Sequence, residues 1–336
     1  MGDRAVVTML LDRVVADPRR PPWTDVAAAA TRLGWTVGAA RALAADACEL
    51  EVELPDAAPA PAASTDDAIA DAIAAPTPDA RARARALRHA LATEVATGAP
   101  DAIVDLAVQL ARPAPRTPRL VVMDMDSTVI TIEVIDELAR RHGVGAEVEA
   151  ITARAMAGEL DFEASLRARV ARLAGLSVAV LDDVAATLPV TAGAARLIAA
   201  IRALGGWTAI VSGGFTFAAA PLAARLGVDH VHANRLAIAD GRLTGSLDGA
   251  FVTPARKAAL VGELAAGHGL DLGHTVAIGD GANDLPMLAR AGLGVAFHGK
   301  PRVAAAADTA IRAGGLDRVL ALLGLSDDDV RALVGA

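Results

Sequence analysis

At 336 residues the chain is longer than one ordinary core usually allows, so two domains are expected. With 54% apolar and 21% charged residues it reads as globular and not as disordered. A net charge of −8 argues against a general nucleic-acid binder, which needs a basic face to displace counterions. Tyr is absent and only 3 Trp and 5 Phe occur, so the cores must be built from Val, Leu, Ile and Ala.

The first apolar run, Ala5 to Leu11, is interrupted by Thr8 and closes at Asp12-Arg13. It is too short to span a membrane and lacks a cleavage-site pattern, so a cytoplasmic protein with no membrane partner is expected. The pattern predicts strands and helices at 5–11, 23–34, 36–45, 48–54, 78–97 and 102–109. This strand-helix-strand-strand-helix-strand order is that of a ferredoxin-like split unit, and it resembles the ACT-type regulatory domains fused to enzymes of amino-acid metabolism. The resemblance implies a small α+β domain over 1–112, able to dimerise or to sense an amino acid. The lone Cys48 permits no intrachain disulfide, fits a reducing compartment and is expected in the core. Arg81 to Arg88 sits at helical spacing and is read as a solvated helix face. Two Pro-rich stretches break the pattern: a loop from Pro55 to Ser64, and a stiff linker from Ala111 to Pro118.

After the linker, Leu120–Met123, Thr208–Val211 and Thr275–Ile278 read as fully buried strands of a parallel sheet. Each ends directly in a polar cluster, and open α/β sheets bind ligands beyond the carboxyl ends of their strands. Between Glu137 and Thr187 the pattern is helical, which predicts an inserted cap. His230 and His232 alternate on a strand and show no metal-ligand spacing. Ser326 followed by Asp327-Asp-Asp329 reads as a helix start.

The first cluster is Asp124-Met-Asp126-Ser-Thr128. Such an acid pair is commonly a loop or cap. At the end of a buried strand, two crowded carboxylates need a cation or a proton between them, and hard oxygen ligands suit Mg²⁺. The second, Gly279-Asp280-Gly-Ala-Asn283-Asp284, turns tightly and points its acids back toward one spot. The third, Ser212-Gly213-Gly214, offers a hydroxyl and free N–H groups of the kind that bind phosphate oxygens. Lys257 heads a helical pattern and can supply a fixed positive charge.

These four motifs occur in the order found in the haloacid dehalogenase superfamily, which the chain resembles from about 116 to 325. Within it, the chain is most similar to phosphoserine phosphatases. The residues that carry this are Met123 to Thr128, Glu133, Met156, Gly158 to Phe162, Ser165 to Arg169, Ser212 to Phe215 and Gly279 to Met287. The resemblance implies a Rossmann-like three-layer α/β core with a parallel sheet over 119–136 and 188–336. It also implies a C1-type helical cap over 137–187, with 113–118 as the linker.

For the site, the resemblance implies Asp124 as nucleophile and Asp126 as general acid and base. Mg²⁺ would be held by Asp124, Asp280 and the Asp126 carbonyl, with Asp284 behind them. Ser212, Gly213, Lys257 and Asn283 would serve the phosphate, and Glu133 and Arg169 the amino-acid part. Met156 and Phe162 would line the cap. The implied reaction is hydrolysis of O-phospho-L-serine through an aspartyl-phosphate, the last step of serine biosynthesis. Two alternatives stay open here: transfer of the phosphoryl group to an alcohol such as homoserine, and a non-catalytic sensor built on the N-terminal domain.

Overall fold

A computed structural model describes residues 4–11, 23–44, 46–54, 78–98, 105–110, 114, 117 and 119–335. The Pro55–Ser64 loop and nearly all of the expected linker lie outside the described residues. The N-terminal unit is β1 (Arg4–Leu10), α1 (Trp23–Arg32), β2 (Thr36–Ala44), β3 (Ala47–Glu53), α2 (Pro78–Gly98) and β4 (Asp105–Gln109). Its strands pair antiparallel in the order β2-β3-β1-β4, the spatial order of a ferredoxin-like sheet.

β1 shows no clean alternation of buried and exposed residues because both its faces are covered. Ala5, Val7 and Met9 pack with Val26, Ala29 and Ala30 of α1 and Leu87, Leu91 and Val95 of α2. Leu10 instead joins the core of the second unit, together with Leu43, Ala47 and Ala107. Cys48 is buried in the first of these cores, and its burial pushes the thiol up to about 12.

The second unit begins with β5 (Leu120–Met123) and then five helices: α3 (Val134–His142), α4 (Gly145–Met156), α5 (Phe162–Ala171), α6 (Val178–Ala186) and α7 (Ala194–Ala203). It continues with β6 (Trp207–Phe215), α8 (Thr216–Leu226), β7 (His230–Ala239), β8 (Arg242–Asp248), α9 (Pro254–Gly267), β9 (Thr275–Gly279) and α10 (Leu285–Arg290). β10 (Leu293–Phe297), α11 (Pro301–Ala306), β11 (Thr309–Ile311), α12 (Arg318–Leu322) and α13 (Asp327–Val334) complete it. The sheet order is β11-β10-β9-β5-β6-β7-β8, parallel throughout except for β7 against β8.

Helices on both faces explain why the central strands are apolar without interruption. Val121, Met123, Ile210, Val276 and Ile278 belong to one core, and Leu120, Val122, Ala209, Val211 and Ala277 to the other. The result is a three-layer α/β unit whose sheet brings the ends of β5, β6 and β9 side by side.

β7 and β8 form a hairpin turning at Asp240-Gly241, both with positive φ (49° and 71°), as a two-residue hairpin turn requires. The hairpin braces the helical insertion: Gly175 N–H donates to Leu243 O at 2.8 Å, and Leu243 N–H to Leu176 O at 2.9 Å.

The arginines of α2 depart from expectation. Arg81 does not face solvent; its guanidinium donates to the carbonyls of Leu288 (3.1 Å) and Ala289 and pairs with Asp308. Arg85 reaches the same carboxylate at 3.2 Å. The carbonyls at the end of α10 and one acid after α11 supply acceptors that only the tertiary fold brings near. Further ties run from Gln109 to Leu322 O (2.8 Å), from Arg41 to Gly324 O (2.8 Å) and from Thr309 to Leu106 O (3.0 Å). Cavities of about 370 and 430 Å³ lie along this seam, away from the polar strand ends. Among the described residues no helix is long and apolar enough to cross a membrane.

Candidate active site

Asp124 follows the last residue of β5 and extends the ladder, its N–H donating to Ile278 O of β9 at 2.9 Å. The chain then makes one wide helical turn, Met125–Val129, inside which Ser127 takes a positive φ of 55°. That conformation is costly for a residue with a side chain and is held here by what surrounds it. The turn lets the Asp126 carboxylate accept from Val134 N–H (3.1 Å), at the head of α3. It also points the Ser127 hydroxyl at Glu133, to which it donates at 2.8 Å.

At the end of β9, Gly281 N–H donates to Asp284 Oδ2 at 3.0 Å, and Asp284 is fully buried. Gly279 is obligatory there, because a Cβ would come within about 2.5 Å of the Asp284 side chain. Thr128 contacts Asp280 Oδ1 at 3.4 Å, joining the two acidic loops. At the end of β6, the buried Ser212 hydroxyl accepts from Gly214 N–H at 2.8 Å. A Cβ on Gly214 would meet Asp126 Oδ2, so this turn lies directly against the Asp126 carboxylate.

Lys257 lies at the centre. α9 starts at Thr253, whose side chain accepts from Arg256 N–H (3.1 Å), and the first turn carries Lys257 inward until it is fully buried. Its Nζ is 2.8 Å from Asp124 Oδ1 and 2.7 Å from Asp284 Oδ1. Burial opposes the ammonium charge, but the two carboxylates outweigh it and hold the lysine protonated well above the ordinary range. One ammonium does not serve all the acids. Burial, then the charges of Asp124 and Asp284, push Asp280 up to about 7. Burial and Asp124 raise Asp284 to about 7 against the pull of Lys257. Asp126 is raised well above the carboxylate range, first by burial and then by Glu133 and Asp124.

One oxygen each from Asp124, Asp280 and Asp284 lie within 4.8 Å of one another. This buried, hard, negatively charged donor set fits a divalent cation. Asp284 accepts from Lys257 on Oδ1 and from Gly281 N–H on Oδ2, whereas both bonds to Asp124, from Met125 N–H and Lys257, fall on Oδ1; Asp124 Oδ2 and Asp280 are therefore the better placed to ligate directly.

The remaining expected residues fall around this cluster. Phe162, at the start of α5, lies over the Ser212 turn; a Cβ on Gly213 would come within about 2.8 Å of its ring. Glu133 keeps an exposed surface at the mouth of the site; its pKa is raised, first by the burial of its surroundings, against the lowering pull of the Ser127 hydrogen bond. Arg169, half-buried on α5, carries a buried Nε without a hydrogen-bond partner among the described residues. Burial lowers its pKa against the charges of Asp136, Glu133 and Asp126. Asn283 Nδ2 reaches Asp284 Oδ1 at 3.5 Å.

Met156 is placed differently from expectation. It is 69% exposed at the end of α4, its sulfur 3.9 Å from Lys300 Nζ, so it stands at a rim and lines no enclosed wall. An unbranched side chain at a helix end has few neighbours to bury it.

Two residues that the motifs did not single out also shape the site. Ser127 orients Glu133, and its place inside the acid motif was the available signal. Asn234, buried on β7, bonds to Gly213 O; Asn is a residue type that strands disfavour.

The family of haloacid dehalogenase-like hydrolases matches residues 121–289. A phosphoserine phosphatase of Streptomyces coelicolor is 52% identical over 246 residues, 73% of this chain and 59% of that protein. One of Vibrio cholerae is 48% identical over 206 residues, 61% of this chain and 63% of that protein. The chain thus spans about three fifths of the length of these two curated relatives. The crystal structure of a probable phosphoserine phosphatase from Vibrio cholerae, unliganded, superposes with a TM-score of 0.68 at 34% identity. That likeness covers 99% of this chain and 90% of the other. The stretch matched by the family takes in all three motif-bearing strands and Lys257, and the chain belongs to the haloacid dehalogenase-like hydrolases.

Proposed function

We propose that the protein hydrolyses O-phospho-L-serine to L-serine and phosphate through a phosphorylated Asp124. The observation that carries this is the pairing of two features in one site. Beneath the helical insertion, an Asp124–Lys257–Asp284 cluster adjoins the Ser212-Gly213 turn. Beside it stand Glu133 and an Arg169 whose buried Nε has no hydrogen-bond partner among the described residues. Phosphoserine offers a phosphate for the first feature and an ammonium and carboxylate for the second.

A phosphate monoester dianion repels nucleophiles, so the site must position the attack and neutralise charge. Lys257 and the hydrogen bond from Met125 N–H (2.8 Å) fix one Asp124 oxygen, leaving the other to attack phosphorus in line. Asp126, whose raised pKa favours the acid form, gives its proton to the leaving seryl oxygen and then takes one from the water that attacks the phospho-aspartate. The Ser212 hydroxyl and the Gly213 N–H hold phosphoryl oxygens. Glu133 takes the ammonium, and Arg169 forks onto the carboxylate. Phe162 excludes water above the turn. Mg²⁺ on Asp124, Asp280 and the Asp126 carbonyl would supply charge neutralisation, with Asp284 and Asn283 behind it.

We assign residues 1–112 to the ACT-like unit, 113–118 to the linker, 119–136 and 188–336 to the hydrolase core and 137–187 to the cap. A homodimer through the N-terminal unit is supported by β2, a largely exposed edge strand.

The test is phosphate release from L-phosphoserine beside other small phosphomonoesters, with Mg²⁺ and then with chelator. Selective release that vanishes with chelator is expected; unselective release would overturn the substrate. Added homoserine that became phosphorylated would favour transfer over hydrolysis. Arg169→Ala is expected to lower kcat/KM on phosphoserine roughly 10- to 100-fold, the scale of one charged hydrogen bond. It should leave a phosphomonoester without a carboxylate nearly unaffected. Equal losses on both would remove Arg169 from carboxylate recognition.

A further inference from the structure

Building on the phosphatase reading of the same site, we propose that Asn234 is a positioning residue that locks the phosphate-binding turn and the Lys257 helix to each other. β6 and β7 run in parallel register from Ala209 opposite His230 to Val211 opposite His232, and the register resumes only at Phe215 opposite Asn234. Between those points β6 carries Ser212, Gly213 and Gly214 where β7 has Ala233 alone. The extra residues make a bulge whose Gly214 lies against the Asp126 carboxylate, and a bulge breaks the ladder that would otherwise satisfy the backbone.

Asn234 closes that gap with its side chain. It is 1% exposed, and its Nδ2 donates to Gly213 O at 2.7 Å. Its Oδ1 accepts from Val252 N–H at 2.8 Å. Val252 immediately precedes Thr253, which caps α9 and whose carbonyl accepts from Lys257 N–H at 2.9 Å. One planar amide therefore spans from the turn that faces the phosphoryl oxygens to the helix that delivers the cation.

The two bonds need opposite polarity at fixed ends. An amide donates at one end and accepts at the other, a carboxylate only accepts, and an aliphatic side chain does neither. Asp is nearly isosteric yet cannot hold both partners. A shift of about 1 Å in groups that hold a reacting centre costs on the order of 100-fold in rate. The bond network therefore assigns Asn234 to catalysis through Gly213 and Lys257, without contact to substrate.

The experiment compares the full-length protein with Asn234→Asp and Asn234→Ala, with Mg²⁺ present. Thermal melts report folding, calorimetric titration with inorganic phosphate reports the turn, and steady-state kinetics on phosphoserine give kcat, KM and inhibition by L-serine. Folded variants are expected to bind phosphate at least tenfold more weakly and to lose more than tenfold in kcat. Inhibition by L-serine, which engages Glu133 and Arg169, should stay within twofold of the parent.

Phosphate affinity and kcat within twofold of the parent, or equal weakening of phosphate and serine, would overturn the proposal. So would failure of both variants to fold, which would make Asn234 a structural residue. If only the Asp variant unfolds, the Ala variant carries the same comparison. Should the parent bind phosphate but hydrolyse a different phosphomonoester, the substrate reading fails while the phosphate titration still decides Asn234. A parent that binds no phosphate overturns both.

Discussion

Asp124→Asn is expected to abolish turnover, by at least ~10⁴-fold in kcat, while leaving the protein folded and as stable as before. The amide oxygen can still accept from Met125 N–H and from Lys257, the two bonds that now fix Asp124 Oδ1 at 2.8 Å each. What disappears is the charged second oxygen, and with it the nucleophile. Stability is spared because the substitution removes one of several carboxylates crowded around a single ammonium. The repulsion from Asp124, which adds to burial in lifting Asp280 and Asp284 to about 7, is thereby relieved. The check is a single-turnover assay with labelled phosphoserine. The parent should trap a hydroxylamine-sensitive phospho-enzyme and the variant none. Turnover within tenfold of the parent would remove Asp124 from the nucleophile role and leave Asp126 or Asp280 to be tested in its place.

How much of this was legible in the sequence depends on whether a residue's role is local. β5, β6 and β9 could be read from Leu120–Met123, Thr208–Val211 and Thr275–Ile278 because strands covered on both faces stay apolar throughout. The polar clusters that follow them are local too, so the acidic loops and the Ser212 turn stood out. The N-terminal elements followed from periodicity, and 5–11 corresponds to β1 at Arg4–Leu10. Arg81 and Arg85 depart from the expected solvated face because a helix face rich in arginine looks the same in sequence whether it meets water or the carbonyl end of another helix. The β7–β8 hairpin carries its own sign in Asp240-Gly241, a dipeptide that tolerates the positive φ both positions need. Asn234 and the burial of Lys257 are products of the assembled fold. Each bridges segments far apart in the chain, and no window of sequence contains both ends.

Lys257→Met tests that last point, because its cost should appear in stability as well as in rate. The ammonium is fully buried between two carboxylates at 2.7 and 2.8 Å, and Asp284 is itself wholly inaccessible. Methionine is unbranched like lysine and only one atom shorter, so packing changes little while the cation is lost. Removing one partner of a buried ionic group leaves uncompensated charge, at a cost of about 3–5 kcal/mol. The expected result in chelator is that much loss by urea unfolding, with an unchanged m-value. Added Mg²⁺ should restore part of the loss, because a divalent cation bound by the same acids can stand in for the missing charge and stabilises the folded state by mass action. Activity should not follow stability back: without the ammonium that fixes Asp124 Oδ1, kcat should remain ~10²- to 10³-fold down even at saturating Mg²⁺. Lys257→Arg should rescue neither property, since a planar fork does not fit a fully enclosed position shaped around an ammonium. A Met variant as stable as the parent in chelator would mean that the acids are neutralised by protons and not by Lys257. The lysine would then lose its place at the centre of the site.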